Sequence, residues 1–424
     1  KCSLRSHFGY ASTLCEMGGK NQDKDKMAFS KRTSSKSKPE SPEILFRDHV
    51  RAKKVPGLLS HQADILRKYM EHGLDTSDVA LQLPTGSGKT LVGLLIAEWR
   101  RISKGMRVLY LCPTRQLAHQ VHRLATDQYG LQPVLLVGQI KDYDRESCHQ
   151  YENLEACAIS TYSSLFNTNP YFKEPQTLIF DDAHSAENYV AKYWSCQIHR
   201  DADADLYETL IAKFKTVFPE IDYTRFENSE FEESTEPWVE KLPNPLWFSI
   251  GADVRAIVDV AAKDSDSDFP YPWSVIRDHL QGCQVFFSAQ TILIRPMLPP
   301  TKTHHPFAHA SHRVYMSATL GSGGDLERLF GIPRISRIPA PEGWQKQVIG
   351  RRFFLFPERS LKDDEIEQFV GKTMKIFPRA LILTASLKAQ SRFVTLFGQQ
   401  FGCSVFTQND IESSKTIFTS TKNA

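Results

Sequence analysis

The chain has no run of the ~18 apolar residues that a membrane-spanning helix needs, so no membrane span is expected. No apolar stretch follows its basic N-terminal residues, so no signal peptide is read there. It has no CxxC pair. Its eight cysteines stand apart at Cys2, Cys15, Cys112, Cys148, Cys157, Cys196, Cys283 and Cys403, a spacing that forms neither a disulfide framework nor a zinc site in 424 residues. A reducing, intracellular and cytoplasmic setting is the expectation. Net charge is also small. The 52 Lys and Arg against 49 Asp and Glu leave +3, too little to argue for or against nucleic acid, so any basic surface must be local.

What is present suffices for a core: 41% apolar and 24% charged residues, over a length that suggests two or three domains. Residues 1–57 are expected to be a disordered basic tail, because 20–40 carry seven Lys or Arg and almost nothing apolar. From residue 58 short apolar runs alternate with amphipathic stretches. Strands are predicted at Val79–Leu83, Val108–Cys112, Val134–Val137, Ala158–Ser160, Thr177–Phe180 and Val314–Ser317, with helices at Leu91–Ile102 and Gln116–Ala125. This alternation predicts an α/β fold whose mostly parallel sheet is covered by helices. Residues 186–284 interrupt it and read as a helical insertion, acidic from Glu220 to Glu240 with eight Asp or Glu against one Arg, and Gln284–Pro296 turns strand-like again. The first α/β domain is expected over 58–185 and 285–336, and a partial second one over 337–424, with strands at Arg352–Phe356 and Ala380–Ala385 and helices at Leu361–Phe377 and Leu387–Phe397.

The strongest chemical signal is Thr85-Gly86-Ser87-Gly88-Lys89-Thr90, between an apolar strand and a helix. Gly86 and Gly88 let consecutive N–H groups converge on phosphate oxygens, Lys89 reaches the outer phosphates, and the Thr90 hydroxyl suits Mg²⁺. The pattern departs from its usual form at Leu83, where a further glycine is common. The second signal is Asp181-Asp182-Ala183-His184 at the C-terminal end of a buried strand, where ligands of open α/β sheets gather. Asp181 is placed to hold Mg²⁺, Asp182 to activate water, and His184 to link the nucleotide to a second domain.

Taken together, these segments resemble a superfamily 2 helicase of the DEAD/DEAH type, whose motor is two RecA-like P-loop domains. Residues 85–90 resemble motif I, Asp181–His184 motif II, Ser317-Ala318-Thr319 motif III, and Pro113-Thr114-Arg115-Gln116-Leu117-Ala118 motif Ia. The resemblance implies ATP and Mg²⁺ as cofactors, Gln62 as the adenine reader, and Ser317 and Thr319 as coupling residues. It also implies Thr114, Arg115 and Thr161 as contacts to a single strand of DNA or RNA; ordinary helix N-capping is the rival role for the threonines. Asp182 stands where the family usually has Glu. The 136 positions between Asp181 and Ser317 are most like the XPD/DinG-like group, which carries an arch domain there. Most of that group hold a four-cysteine iron–sulfur cluster between motifs Ia and II. Here that interval offers only Cys148 and Cys157 beyond Cys112, so no cluster is expected. The resemblance further places the catalytic arginines of a complete second domain beyond Arg392, the last arginine here, so the chain is expected to be C-terminally truncated and incomplete for turnover. An ATP-dependent DNA helicase or translocase is the leading reading. A DEAD-box-like RNA remodeller, and a non-unwinding ATP switch subunit with protein partners in a repair or defence complex, stand as alternatives.

Overall fold

The computed structural model describes residues 38–84, 86–219, 238–263, 265–321, 324–340, 354–376, 382–384, 386–400, 402 and 404–407. Strands β1 (Asp78–Gln82), β2 (Val108–Cys112), β3 (Val134–Leu135), β4 (Ala158–Thr161), β5 (Thr177–Asp181), β10 (His312–Ser317) and β11 (Ser336–Ile338) form one sheet, in the order β11-β1-β10-β5-β2-β4-β3. All of its pairings are parallel. Parallel strands need crossovers, and crossovers cover both faces with helices, which is why these strands are apolar on both sides. Val79, Leu81, Val108, Tyr110, Ile159, Ile179, Val314 and Met316 enter one core cluster. Their alternating neighbours Ala80, Leu109, Leu111, Ala158, Leu178, Phe180 and Tyr315 enter the other.

Helix α1 (Ser60–Lys68) precedes β1, and α2 (Lys89–Lys104) follows it. Helix α2 buries Leu91, Leu94, Leu95 and Trp99, each large side chain contributing ~1.5–3 kcal/mol. It ends at Gly105, whose φ of 65° lets its N–H return to the Arg101 carbonyl. Gly93 is a close-approach glycine: a Cβ there would run into Met316 and Tyr110. The disordered tail was expected to reach residue 57, but its described part, 38–57, contains helical structure. Ser41 caps a short helical segment, Pro42–His49, whose Leu45 and Phe46 are buried, and the Trp99 Nε1 donates to the Pro39 carbonyl at 2.9 Å. Apolar side chains at helical spacing outweigh the charge of their neighbours here.

The insertion is also less helical than expected. Strands β6 (Cys196–His199), β7 (Glu240–Leu242), β8 (Cys283–Phe287) and β9 (Thr291–Pro296) make a separate antiparallel sheet, ordered β6-β9-β8-β7. The expected boundary at 285 assigned β8 and β9 to the first domain, but both pair within the insertion. Their alternation explains it: Cys283, Val285 and Phe287 are buried, while Gln284 and Phe286 are half-exposed, as in a sheet covered on one side. Helices Ala204–Val217, Asn244–Ala261 and Pro270–Ile276 supply that cover. Trp247 and Trp273 are buried between the layers, donating to the Leu280 carbonyl at 2.9 Å and to Asp259 at 2.8 Å. Most of the acidic stretch, residues 220–237, lies outside the described residues.

Helices Asp363–Ile376 and Leu387–Thr395 match the expected helices of the C-terminal segment. The strands expected at Arg352–Phe356 and Ala380–Ala385 fall partly outside the described residues, and 354–356 and 382–384 carry no strand.

Candidate functional site

Every motif singled out in the sequence follows a strand of the parallel sheet at its C-terminal end, and the register aligns those ends. Gln82 pairs with Ser317, Met316 with Asp181, and Cys112 with Thr161. Strands β1, β10 and β5 are neighbours, so the phosphate loop, Ser317 and Asp181 lie side by side. Strands β2 and β4 are neighbours next to them, so Thr114, Arg115 and Thr161 form a second group beside the first.

In the phosphate loop, Gly86 and Gly88 have φ of 81° and 76°, the left-handed region open to glycine. Thr85 lies outside the described residues. Gln62, buried on α1, holds the loop. It accepts from the Leu59 N–H at 3.0 Å and donates to the Ser87 carbonyl at 3.0 Å. His61 donates to that same carbonyl at 2.9 Å. A Cβ on Gly88 would meet the end of the Gln62 side chain, so a larger residue there would displace that amide as well as strain φ. The Ser87 hydroxyl is buried and has no hydrogen-bond partner among the described residues. Lys89 and Thr90 open helix α2.

The Lys89 ammonium donates to Asp182 Oδ1 at 2.7 Å, spanning motifs I and II. Asp182 has a φ of 58°, a left-handed conformation that aspartate tolerates better than most residues. Asp181 is more enclosed. Burial raises its pKa, while a hydrogen bond from the Tyr110 hydroxyl at 2.8 Å and the Lys89 charge pull it back. The Tyr162 hydroxyl also donates to the Asp181 carbonyl. His184 Nδ1 and the Ser317 hydroxyl share a hydrogen bond of 2.8 Å. Ser317 also accepts from the Thr319 N–H through its hydroxyl (3.2 Å) and from the Leu83 N–H through its carbonyl (2.9 Å). Motifs I, II and III are therefore one hydrogen-bonded unit.

The second group opens into a cavity of about 390 Å³. Thr114, Arg115, Gly138, Thr161, Ser164 and Asn167 line it, with Tyr143, Tyr171 and Tyr189. Thr114 accepts from the Leu117 N–H at 3.2 Å, so the capping role weighed from the sequence is real. Thr161 shares a 2.9 Å hydrogen bond with Ser164. Another cavity, of about 510 Å³, lies between His184, Thr319 and Arg295, the last at the foot of the insertion.

Sequence reasoning missed Tyr110, Tyr162 and His61. Tyr110 and Asp181 are 71 positions apart, and only the order of the strands brings them together. His61, one residue before Gln62, carried no signal apart from that proximity.

Residues 60–205 match the model of the DEAD/DEAH box helicase family. Hel308 of Thermococcus kodakarensis, an ATP-dependent DNA helicase, is 26% identical over 144 residues, which cover 33% of this chain. The match spans 12% of that relative's length. Among solved structures, the chain is similar to S. tokodaii Xpd4 at 16% identity and a TM-score of 0.38, covering 67% of this chain and 61% of that one. It is also similar to an apo XPD structure at 18% identity and a TM-score of 0.42, covering 82% and 74%. Among the described residues no helix is long and apolar enough to cross a membrane.

Proposed function

We propose that this chain is a nucleotide-driven motor acting on single-stranded nucleic acid, with DNA as the leading substrate. One observation carries the reading: Lys89 is paired with Asp182 at 2.7 Å while His184 is bonded to Ser317, so the phosphate loop and motifs II and III form a single unit. The family match and the DNA helicase relative support the same reading.

The residues fit Mg·ATP. The loop glycines are at positive φ, and the buried Ser87 hydroxyl beside Lys89 lacks a partner among the described residues. Bound Mg·ATP supplies the phosphoanhydride to be cleaved and the neutralising metal charge. Thr90 and Asp181 would hold the metal. Gln62 keeps one N–H and one lone pair beyond the two bonds it makes, enough for a purine edge. Lys89 works as a switch. It neutralises Asp182 here, and on transferring to an anion in the loop it leaves that carboxylate free to take a proton from water. Ser317 and Thr319 then report the state of Asp182, through His184, to whatever packs beyond motif III. Thr114, Arg115 and Thr161 would take the strand backbone on the neighbouring strand ends.

The test is fluorescent ATP-analogue binding and ATPase assay of the full chain, alone, with single-stranded DNA and with RNA. Binding that Lys89→Ala abolishes, with hydrolysis stimulated by DNA, supports the reading. Stimulation by RNA alone would make the chain an RNA remodeller, and nucleotide binding with no polymer effect would make it a switch subunit. Analogue binding unchanged in Lys89→Ala would refute the site itself.

A further inference from the structure

The groove at the ends of β2 and β4 is poor in charge for a nucleic-acid site. Among its lining residues Arg115 is the single cation; it is exposed, with no partner among the described residues. Phosphate neutralisation alone is therefore a weak source of affinity, with an expected salt slope from this groove of about −0.7 for a single strand. Aromatic surface is plentiful instead. Tyr143 follows the short turn Ile140–Asp142, Tyr171 precedes β5, and Tyr189 belongs to the helix after motif II, so three separate segments each contribute a half-exposed ring.

Neighbouring rings hold these tyrosines in place. Tyr143 meets Tyr171 edge-on at 5.4 Å and 84°, and Tyr189 meets Tyr162 at 5.5 Å and 63°. The Tyr171 hydroxyl is tied to Glu152 at 2.6 Å, while those of Tyr143 and Tyr189 have no hydrogen-bond partner among the described residues. The two rings are thus placed by packing and not by their hydroxyls.

We propose that this groove holds its strand mainly by stacking unpaired bases on Tyr143 and Tyr189, with Arg115 and the threonine hydroxyls fixing only the backbone. The inference rests on the reading of the groove given above and adds its selectivity. Bases are available for stacking only when unpaired, so a groove with one cation and several rings selects single strands over duplex, with little preference for sequence.

The experiment is fluorescence anisotropy with the full chain and three labelled probes: a twelve-residue oligo(dT), its abasic counterpart of equal charge, and a twelve-base-pair duplex. The abasic strand and the duplex should bind between about five- and a hundredfold more weakly than oligo(dT), the range of one stacked base. Tyr143→Ala and Tyr189→Ala should lower oligo(dT) affinity without changing the abasic strand, and Tyr189→Phe should restore it. Equal binding of oligo(dT) and abasic strand by the unmodified protein would overturn the stacking proposal and leave a backbone-binding groove. Oligo(dT) binding indifferent to both Arg115→Ala and the tyrosine changes would overturn the groove reading as well.

Discussion

His312 opens β10, the strand that ends in Ser317, and it is 3% exposed. Its Nδ1 donates to the Thr76 carbonyl at 2.7 Å, so its Nε2 is the acceptor of the Tyr69 hydroxyl at 2.8 Å. Tyr69 in turn accepts from Arg100 Nε at 2.6 Å. The ring is thus neutral, and protonating it would put a second cation beside Arg100 and near Arg313, which is itself paired with Asp78 at 2.6 Å. Burial first, then the Arg100 charge, lowers the His312 pKa from 6.5 to about 3, against the opposing pull of the Thr76 carbonyl. The sign follows directly. The unfolded chain takes up a proton below its ordinary pKa and the folded chain does not, so stability is complete above pH ~6.5 and is lost as pH falls toward ~3. At ~1.4 kcal/mol per unit, moving to pH 5 should cost about 2 kcal/mol from this residue alone. Urea unfolding at pH 7.5 and pH 5, for the native chain and for His312→Gln, measures it. Gln keeps a donor and an acceptor but does not titrate, and all other groups are common to both proteins. The native chain should lose about 2 kcal/mol more than the variant. Equal losses would refute the neutral, buried histidine.

Lys89→Ala should abolish nucleotide binding while moving the urea midpoint little, because the side chain it removes serves the loop and not the core. Asp182→Asn should keep Mg·ATP binding and lose hydrolysis by ~10²-fold or more, while Asp181→Asn should weaken Mg²⁺-dependent binding; identical behaviour would contradict the division of roles. Tyr110→Phe removes a donor that holds the Asp181 pKa down, so the acid limb of the ATPase pH profile should move to higher pH, and an unmoved limb would remove Tyr110 from the site. Gly93→Ala should cost ~1–3 kcal/mol by pushing α2 off Met316 and Tyr110, read in the same urea experiment. Metal analysis of the purified chain should find less than one iron per molecule, and stoichiometric iron would overturn the expectation of no cluster.

The strand–loop–helix context of residues 78–104 and the buried run before Asp181 made the elements of the candidate site legible, because buried parallel strands and their turns have strong local signatures. Strand order had no such signature. Nothing in the sequence around Tyr110 or Tyr162 says that β2 lies beside β5, or that a tyrosine after β4 reaches Asp181. The strand character of Gln284–Pro296 was legible, but the second sheet it belongs to was missed. The alternation in Cys283–Phe287 is the period of a half-covered antiparallel strand, yet nearness in sequence to β10 drew it into the wrong sheet. The helical segment Pro42–His49 was hidden by the basic run before it, although Leu45, Phe46 and Val50 carried the helical pattern.

The insertion leaves the parallel sheet after β5 and returns before β10, and these two strands are direct neighbours. Its two roots therefore straddle the seam on which Asp181 and Ser317 stand, and Trp194 and Arg295, one near each root, both border the cavity beside His184. In mechanical terms the insertion is a lever whose fulcrum is the pair of strands that carry Asp181 and Ser317. A load on its outer end would enter the sheet at the two strands that flank the His184–Ser317 contact. Under the motor reading proposed above, a partner bound to the insertion would bear on that contact without touching nucleotide or strand.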